Sequence, residues 1–303
     1  MSWENWDIHF DIDESSSLTH YRLSDSLVIS GGGMKGLYIL GSLEYLYQEV
    51  GISHLKAFYG VSIGAVICTL LQIGYTPLEV MAHICVHKIP QKIATIDKNV
   101  IERKSLLNPE NFLVMLEEMI TSKLQKIPSL KELYEITGKD LYITTVCFST
   151  PTSPVYLHHS THPDIPISKA IHLSMSLPFI FGYAEYEGKR YMDGGILDNF
   201  PILYASPRSK RVFGICMKLE RDLEDDTTSF INESIFVITL PISYITELSK
   251  KNCPSNVAYV ELDVGETSSG AISFTKSNDA VYNMFSKGYQ ECKKSLSYKK
   301  KKD

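Results

Sequence analysis

Two short glycine-rich turns, each set between an apolar strand pattern and a helical pattern, constrain this chain more than any other feature. The first is Gly31-Gly32-Gly33-Met34-Lys35-Gly36. The brief apolar run Leu27–Ile29 precedes it, and apolar residues then recur at 37, 40, 43, 46 and 47, the spacing of one helix face. The second is Gly60-Val61-Ser62-Ile63-Gly64, between Ala57–Tyr59 and the almost wholly apolar Ala65–Ile73. A strand that turns at once into a helix, twice in succession, belongs to parallel strands joined by crossover helices.

The alternation continues downstream. Helices are predicted from Pro77 toward His87, over Pro109–Leu124, from the capping box Ser129-Leu-Lys-Glu132 to Gly138, over Ile167–Leu177 and over Asp279–Leu296. Strands are predicted at Leu141–Phe148, Val155–Leu157, Val212–Met217 and Val257–Leu262. The expected fold class is α/β, with a mainly parallel central sheet and helices on both faces. No internal repeat is present, and no linker is long enough to force a second domain. The expected organisation is a polar leader over 1–25, a main domain over 26–206, and a C-terminal part of the same α/β unit over 207–303 ending in a lysine-rich tail.

Composition narrows the partners. A formal net charge of -5 gives no support for nucleic-acid binding, which usually needs a basic field. The charge is uneven: 4–14 and 220–226 are acidic, and Lys299, Lys300, Lys301 and Lys302 close the chain. That tail is expected to be a solvated end, or to adhere weakly to anionic lipid. The six cysteines form no C-x-x-C pair and sit mostly in apolar runs, so they are expected to be reduced and buried. The acidic N-terminus does not read as a signal peptide. No stretch of about 18 apolar residues occurs; the closest, Ile235–Ile245, is broken by Thr239 and Pro241. The expected location is cytoplasmic, with peripheral attachment to membranes.

The turns also carry chemistry. Three glycines remove the Cβ atoms at 31–33, so backbone N–H groups can converge on one point, with the positive end of a helix behind them. The spacing fits G-x-G-x-x-G, but a dinucleotide site wants an acid after the second strand, where this chain has Val61 and Ser62. A phosphate-binding P-loop wants Lys-Ser or Lys-Thr after the last glycine, where this chain has Leu37-Tyr38. The second turn fits G-x-S-x-G in the strand–turn–helix context that exposes a nucleophilic serine. A third segment, Met192-Asp193-Gly194-Gly195, is by itself an ordinary turn former. It gains meaning because Ser62 needs a base. The histidines are 8, 20, 54, 83, 87, 158, 159, 162 and 172, and none follows Asp193. A triad would therefore need another acid and a mid-chain histidine; otherwise a carboxylate must take the proton directly.

In this order, the glycine loop with its basic Lys35, the Gly60–Gly64 elbow and the Asp193-Gly194-Gly195 triplet resemble the patatin-like phospholipase family. The resemblance covers roughly Ser26 to Ala205. It extends to Ser174-Met-Ser-Leu-Pro178-Phe and to the segment from Asp193 through Asn199-Phe-Pro201. It implies a three-layer α/β/α patatin-like domain and a Ser–Asp dyad with Ser62 as nucleophile and Asp193 as base. It further implies an oxyanion hole from the N–H groups of Gly32, Gly33 and Met34. Gly31, Lys35, Gly36, Gly60, Gly64, Gly194 and Gly195 are then supporting motif residues. The implied reaction is acyl hydrolysis of phospholipids or acyl glycerols, with an acyltransferase, a lysophospholipase, or a non-catalytic membrane- or partner-binding module as alternatives.

No cofactor and no metal are expected. His83 and His87 share a helix face but lack the Glu of a zinc-protease motif. His158-His159-x-x-His162 has no acid cluster beside it in sequence, and Glu224-Asp225-Asp226 lacks the spacing of a calcium loop. The expected partner is a lipid substrate at a peripheral membrane surface, with protein partners unspecified.

Overall fold

The computed structural model describes residues 17–88, 90, 107–150, 152–218, 230–263 and 277–298. In chain order these form α1 (Ser17–Leu23), β1 (Ser26–Ile29), α2 (Gly36–Glu49), β2 (Ala57–Val61), α3 (Ile63–Gln72) and α4 (Pro77–Val86). There follow α5 (Glu110–Leu124), α6 (Leu130–Thr137), β3 (Asp140–Cys147), β4 (Val155–Leu157), α7 (Ile167–Met175), β5 (Ala184–Tyr186) and β6 (Lys189–Asp193). The last group is α8 (Gly195–Asp198), α9 (Ile202–Ala205), β7 (Val212–Met217), α10 (Phe230–Lys251), β8 (Val257–Leu262) and α11 (Asn278–Tyr298).

The strands form one sheet in the order β5-β6-β3-β2-β1-β7-β8, with β4 also paired to β3. β3, β2, β1, β7 and β8 run parallel, while β4, β6 and β5 form an antiparallel flank. Every residue of β1, β2 and β7 is buried. That is why these strands read as short continuous apolar runs instead of alternating ones.

The two faces of the sheet bury separate clusters, divided by the period of two along each strand. Leu27, Ile29 and Phe58 face a large core with side chains of α2, α3, α5, α7 and α11. Val28, Ala57, Tyr59, Val212 and Cys216 face the other way, against Phe200, Ile202 and Ala205. The architecture is thus three layers with a mostly parallel sheet in the middle. The α6 capping box forms as its sequence predicts: Ser129 Oγ accepts from Glu132 N–H at 3.3 Å, and Ser129 N–H donates to Glu132 at 2.9 Å. Gly138 ends the helix at φ 64°.

Three differences from the sequence reading have physical reasons. The polar segment up to residue 25 contains α1, held by a fully buried Tyr21 whose ring meets that of Phe213 at 5.0 Å. A helix, α10, runs through Thr239 and Pro241, where the sequence reading had only an interrupted apolar run. Pro241 leaves the carbonyl of Val237 without a helical donor, but Val237 is 66% exposed, so water can reach that end of the turn. β5 and β6, not predicted from the sequence, form a hairpin on the antiparallel flank. The acidic runs 4–14 and 220–226 and the lysines 299–302 lie outside the described residues. All six cysteines are free thiols, and Cys68, Cys147, Cys216 and Cys292 are buried.

Among the described residues no single helix is long and apolar enough to cross a membrane. α3 and α4 together have the composition, but the chain bends by 118° between them, and α3 is buried in the core.

Candidate active site

Ser62 follows β2 and caps α3 with φ 53° and ψ -123°, a backbone conformation that L-residues seldom adopt. Its neighbours explain how the turn closes. A Cβ on Gly64 would lie 2.4 Å from the carbonyl oxygen of Ile29, so only glycine lets the start of α3 cross the end of β1. The turn is also held from outside. Ser62 N–H donates to Ser174 Oγ at 2.8 Å, and that hydroxyl donates to the carbonyl of Thr144 in β3 at 2.6 Å. Ser174 is fully buried, so it fixes the elbow to the sheet.

Asp193 ends β6 opposite Thr145 of β3. It is 5% exposed, and its N–H donates to the carbonyl of Ser176 at 2.9 Å. The carboxylate accepts from Gly195 N–H at 2.8 Å, and the Ser62 side chain is near enough to favour its ionised form. Burial outweighs both influences and pushes the Asp193 carboxyl up to about 6. The elbow and the Asp193 turn, far apart in sequence, are therefore neighbours in the fold.

The glycine loop completes the wall. Gly33–Lys35 forms one turn of 3-10 helix leading into α2. The first turn of such a helix leaves N–H groups without intrahelical partners. Gly33 and Met34 line the same cavity as Ser62, whose other walls include Leu37, Leu40, Phe112 and Phe181. This cavity measures about 580 Å³ including its open mouth. Lys35 is 1% exposed, packed into the protein beside the loop.

Two residues that carried only resemblance in the sequence have visible positions. Ser174 is the elbow clamp. Asn199 links three segments: its carbonyl accepts from Gly31 N–H at 3.2 Å, and its amide donates to Thr246 Oγ1 of α10 at 3.3 Å. A Cβ on Gly31 would fall 2.4 Å from Asn199 Oδ1, so a side chain there would displace the Asn199 carboxamide. Neither link could be read from spacing, because each joins segments far apart in the chain. The quoted motifs around Ser174 and Asn199 were the only signal.

The histidines have other occupations. His158 and His159 bond to Asp140, His54 to the carbonyl of Tyr21, and His162 to Thr161. His83 and His87 stack on each other along α4, with ring centroids 5.7 Å apart. His172 lines a different cavity, beside Leu113 and Lys169, and burial pushes its imidazole down to about 4.

Known proteins share this chain's sequence pattern and fold. A probable lipid hydrolase of Invertebrate iridescent virus 6 is 33% identical over 184 residues, covering 58% of this chain and 61% of the relative. An uncharacterized protein of Acanthamoeba polyphaga mimivirus is 26% identical over 256 residues, covering 77% of this chain and 83% of its own length. The crystal structure of VipD from Legionella pneumophila superposes with a TM-score of 0.51 at 16% identity, over 91% of this chain and 67% of that one, a likeness of fold. The family described as patatin-like phospholipase matches residues 27–206. That match takes in more than half of the chain and every residue that lines the cavity around Ser62, and the chain belongs to the patatin-like phospholipase family of serine ester hydrolases.

Proposed function

We propose that this chain hydrolyses fatty-acyl esters of phospholipids or acyl glycerols through a Ser62–Asp193 dyad. The observation that carries the reading is the elbow serine Ser62 at the wall of an apolar cavity, with the buried Asp193 carboxylate near enough for the Ser62 side chain to bear on its ionisation. In this mechanism Ser62 Oγ attacks the ester carbonyl as its proton passes to Asp193. The N–H groups of Gly32, Gly33 and Met34 hold the tetrahedral oxyanion. Asp193 returns the proton to the leaving alkoxide as the C–O bond breaks, and an acyl-enzyme remains. Water, activated by the same carboxylate, releases the fatty acid and restores Ser62. A carboxyl at about 6 is a better base than an ordinary aspartate, yet is still ionised at neutral pH.

A lipid surface is the proposed place of work. Val237, Leu240, Tyr244 and Leu248 recur on α10 at helical spacing and are all exposed. The same helix reaches the site through Thr246 and Asn199. Lys299–Lys302 would add attraction to anionic lipid, and vesicle binding is then expected to weaken with salt and on removal of those lysines.

The test is fatty-acid release from phospholipid vesicles and triacylglycerol emulsions by the full chain. Wild type is expected to release fatty acid, and Ser62→Ala to lose ~10³-fold or more while remaining folded. Near-normal turnover by a folded Ser62→Ala protein would falsify the mechanism.

A further inference from the structure

The sequence offers His158-His159 without an acid beside them, but the fold brings one from elsewhere. Asp140, the first residue of β3, places Oδ1 at 2.9 Å from His158 Nε2 and 3.1 Å from His159 Nε2. The three atoms all lie within 4.8 Å of one another. His162 is turned aside, its Nδ1 2.9 Å from Thr161 Oγ1. We propose that Asp140, His158 and His159 bind a divalent cation of the zinc class, at the end of the sheet remote from Ser62.

Spacing supports the assignment. Tetrahedral zinc with bonds of ~2.0–2.1 Å sets neighbouring ligand atoms about 3.3 Å apart. The two Asp140 pairs, at 2.9 and 3.1 Å, lie within a few tenths of an ångström of that, and the two imidazole nitrogens lie within 4.8 Å of each other, so side-chain movements admit the ion. Two imidazoles and one carboxylate suit zinc and its transition-metal neighbours better than magnesium or calcium, which prefer all-oxygen shells.

The ligands are also oriented before any ion arrives. His158 lies flat on Tyr142, with centroids 4.0 Å apart and planes at 3°, and Tyr142 in turn stacks on Tyr59. His159 lies on Tyr134 of α6 at 3.9 Å and 12°. The Asp140 backbone is fixed by its N–H bond to the Lys56 carbonyl at 2.8 Å. Its side chain is 37% exposed against 8% for His158, leaving one open side for the ion and its remaining water ligands.

Metal uptake would move a proton within His158. Ser160 N–H points at Nδ1 from 3.3 Å, which favours the tautomer with hydrogen on Nε2, donated to Asp140. With an ion on Nε2, the ring proton sits on Nδ1 and is donated to Ser160 Oγ, 2.8 Å away. Such an outer partner for a metal-bound imidazole is the usual arrangement.

The site is structural. Asp140 pairs with Ala57, five positions before Ser62; at about 3.3 Å per residue that is roughly 16 Å along the sheet. An ion there ties the start of β3 to the turn after β4 and, through Tyr134, to α6.

The experiment uses the full chain stripped with a chelator and titrated with zinc chloride, with cobalt(II) as a spectroscopic probe. Wild type should take up one equivalent of zinc with a rise in melting temperature, and cobalt should give visible absorption with a His158 tautomer change in nitrogen NMR. His159→Gln and Asp140→Asn should each weaken zinc binding at least ~10-fold, with ester hydrolysis within a few-fold of wild type. A double His83→Gln, His87→Gln variant should bind as wild type does. The assignment is overturned by no zinc uptake, by unchanged affinity in His159→Gln, or by affinity lost only in the double variant.

Discussion

Asp193 and Asp140 both touch β3, and their surroundings drive them in opposite directions. Asp193 sits at the end of the sheet where the elbow serine lies, 5% exposed, and neither its bond to Gly195 N–H nor the nearby Ser62 side chain offsets its burial. Its carboxyl is pushed up to about 6. Asp140 begins the same strand, half-buried, with two imidazoles on one oxygen, and the His158 bond above all holds its carboxyl below the usual range. One end of the sheet therefore carries a carboxylate that destabilises the fold when ionised, next to a strained serine. The other end carries one that ionisation stabilises. The contrast separates a site organised for reaction from a site organised for cohesion.

The largest effect that could break the contrast is expected at Asp193. Asp193→Asn keeps the shape and an acceptor for Gly195 N–H but removes the base, so fatty-acid release should fall nearly as far as in Ser62→Ala, ~10³-fold. Stability should move the other way. A carboxyl whose folded pKa lies above its unfolded value near 3.8 favours folding fully only below that unfolded value. This contribution is lost as pH rises through about 6. The neutral variant should therefore be more stable at pH 8, by at most roughly 3 kcal/mol for a shift of about two units, and the gain should vanish near pH 4. Urea unfolding at both pH values measures it, and a less stable variant at pH 8 would remove the burial argument.

Gly33→Ala should come next, lowering turnover ~10²-fold with little change in substrate affinity if one oxyanion donor is displaced. An equal loss in KM alone would assign the loop to substrate binding. The acid limb of the kcat/KM profile should lie near 6 and persist in His172→Gln, because His172 is already neutral there. Its disappearance in that variant would return the limb to an imidazole.

The smallest effects belong to the other end of the sheet. Asp140→Asn should leave hydrolysis within a few-fold and lower stability at neutral pH. Asp140 has a depressed carboxyl, so its contribution is present above the ordinary carboxylate range and fades as pH falls through it. Equal stability of the variant and wild type at pH 7 would show that the two histidine bonds contribute nothing net.

The two ends were unequally legible. β1, β2 and β7 are buried on both faces, so their apolar runs declared themselves, and the glycines at 31, 60 and 64 declared the turns. The Ser62–Asp193 pairing rests on the resemblance to the patatin-like family; the order along the chain, with no histidine after Asp193, only leaves a direct carboxylate base open. α10 was hidden by Pro241, which a helix tolerates where the freed carbonyl lies in the open. α1 was hidden because one buried tyrosine anchors an otherwise polar turn. The Asp140 cluster was hidden for a different reason: its acid and its imidazoles are joined only by the pairing of β3 with β4, and composition carries no trace of that.

The central claim is that Asp193 acts on Ser62 directly. A fluorophosphonate ester that labels activated serines tests it, with the labelling rate followed and the adduct mapped by mass spectrometry. One adduct is expected, on Ser62, formed at least ~10²-fold more slowly in Asp193→Asn and at an unchanged rate in His158→Gln, His159→Gln and His172→Gln. An adduct on another serine, or wild-type labelling in Asp193→Asn beside a silent histidine variant, would contradict it.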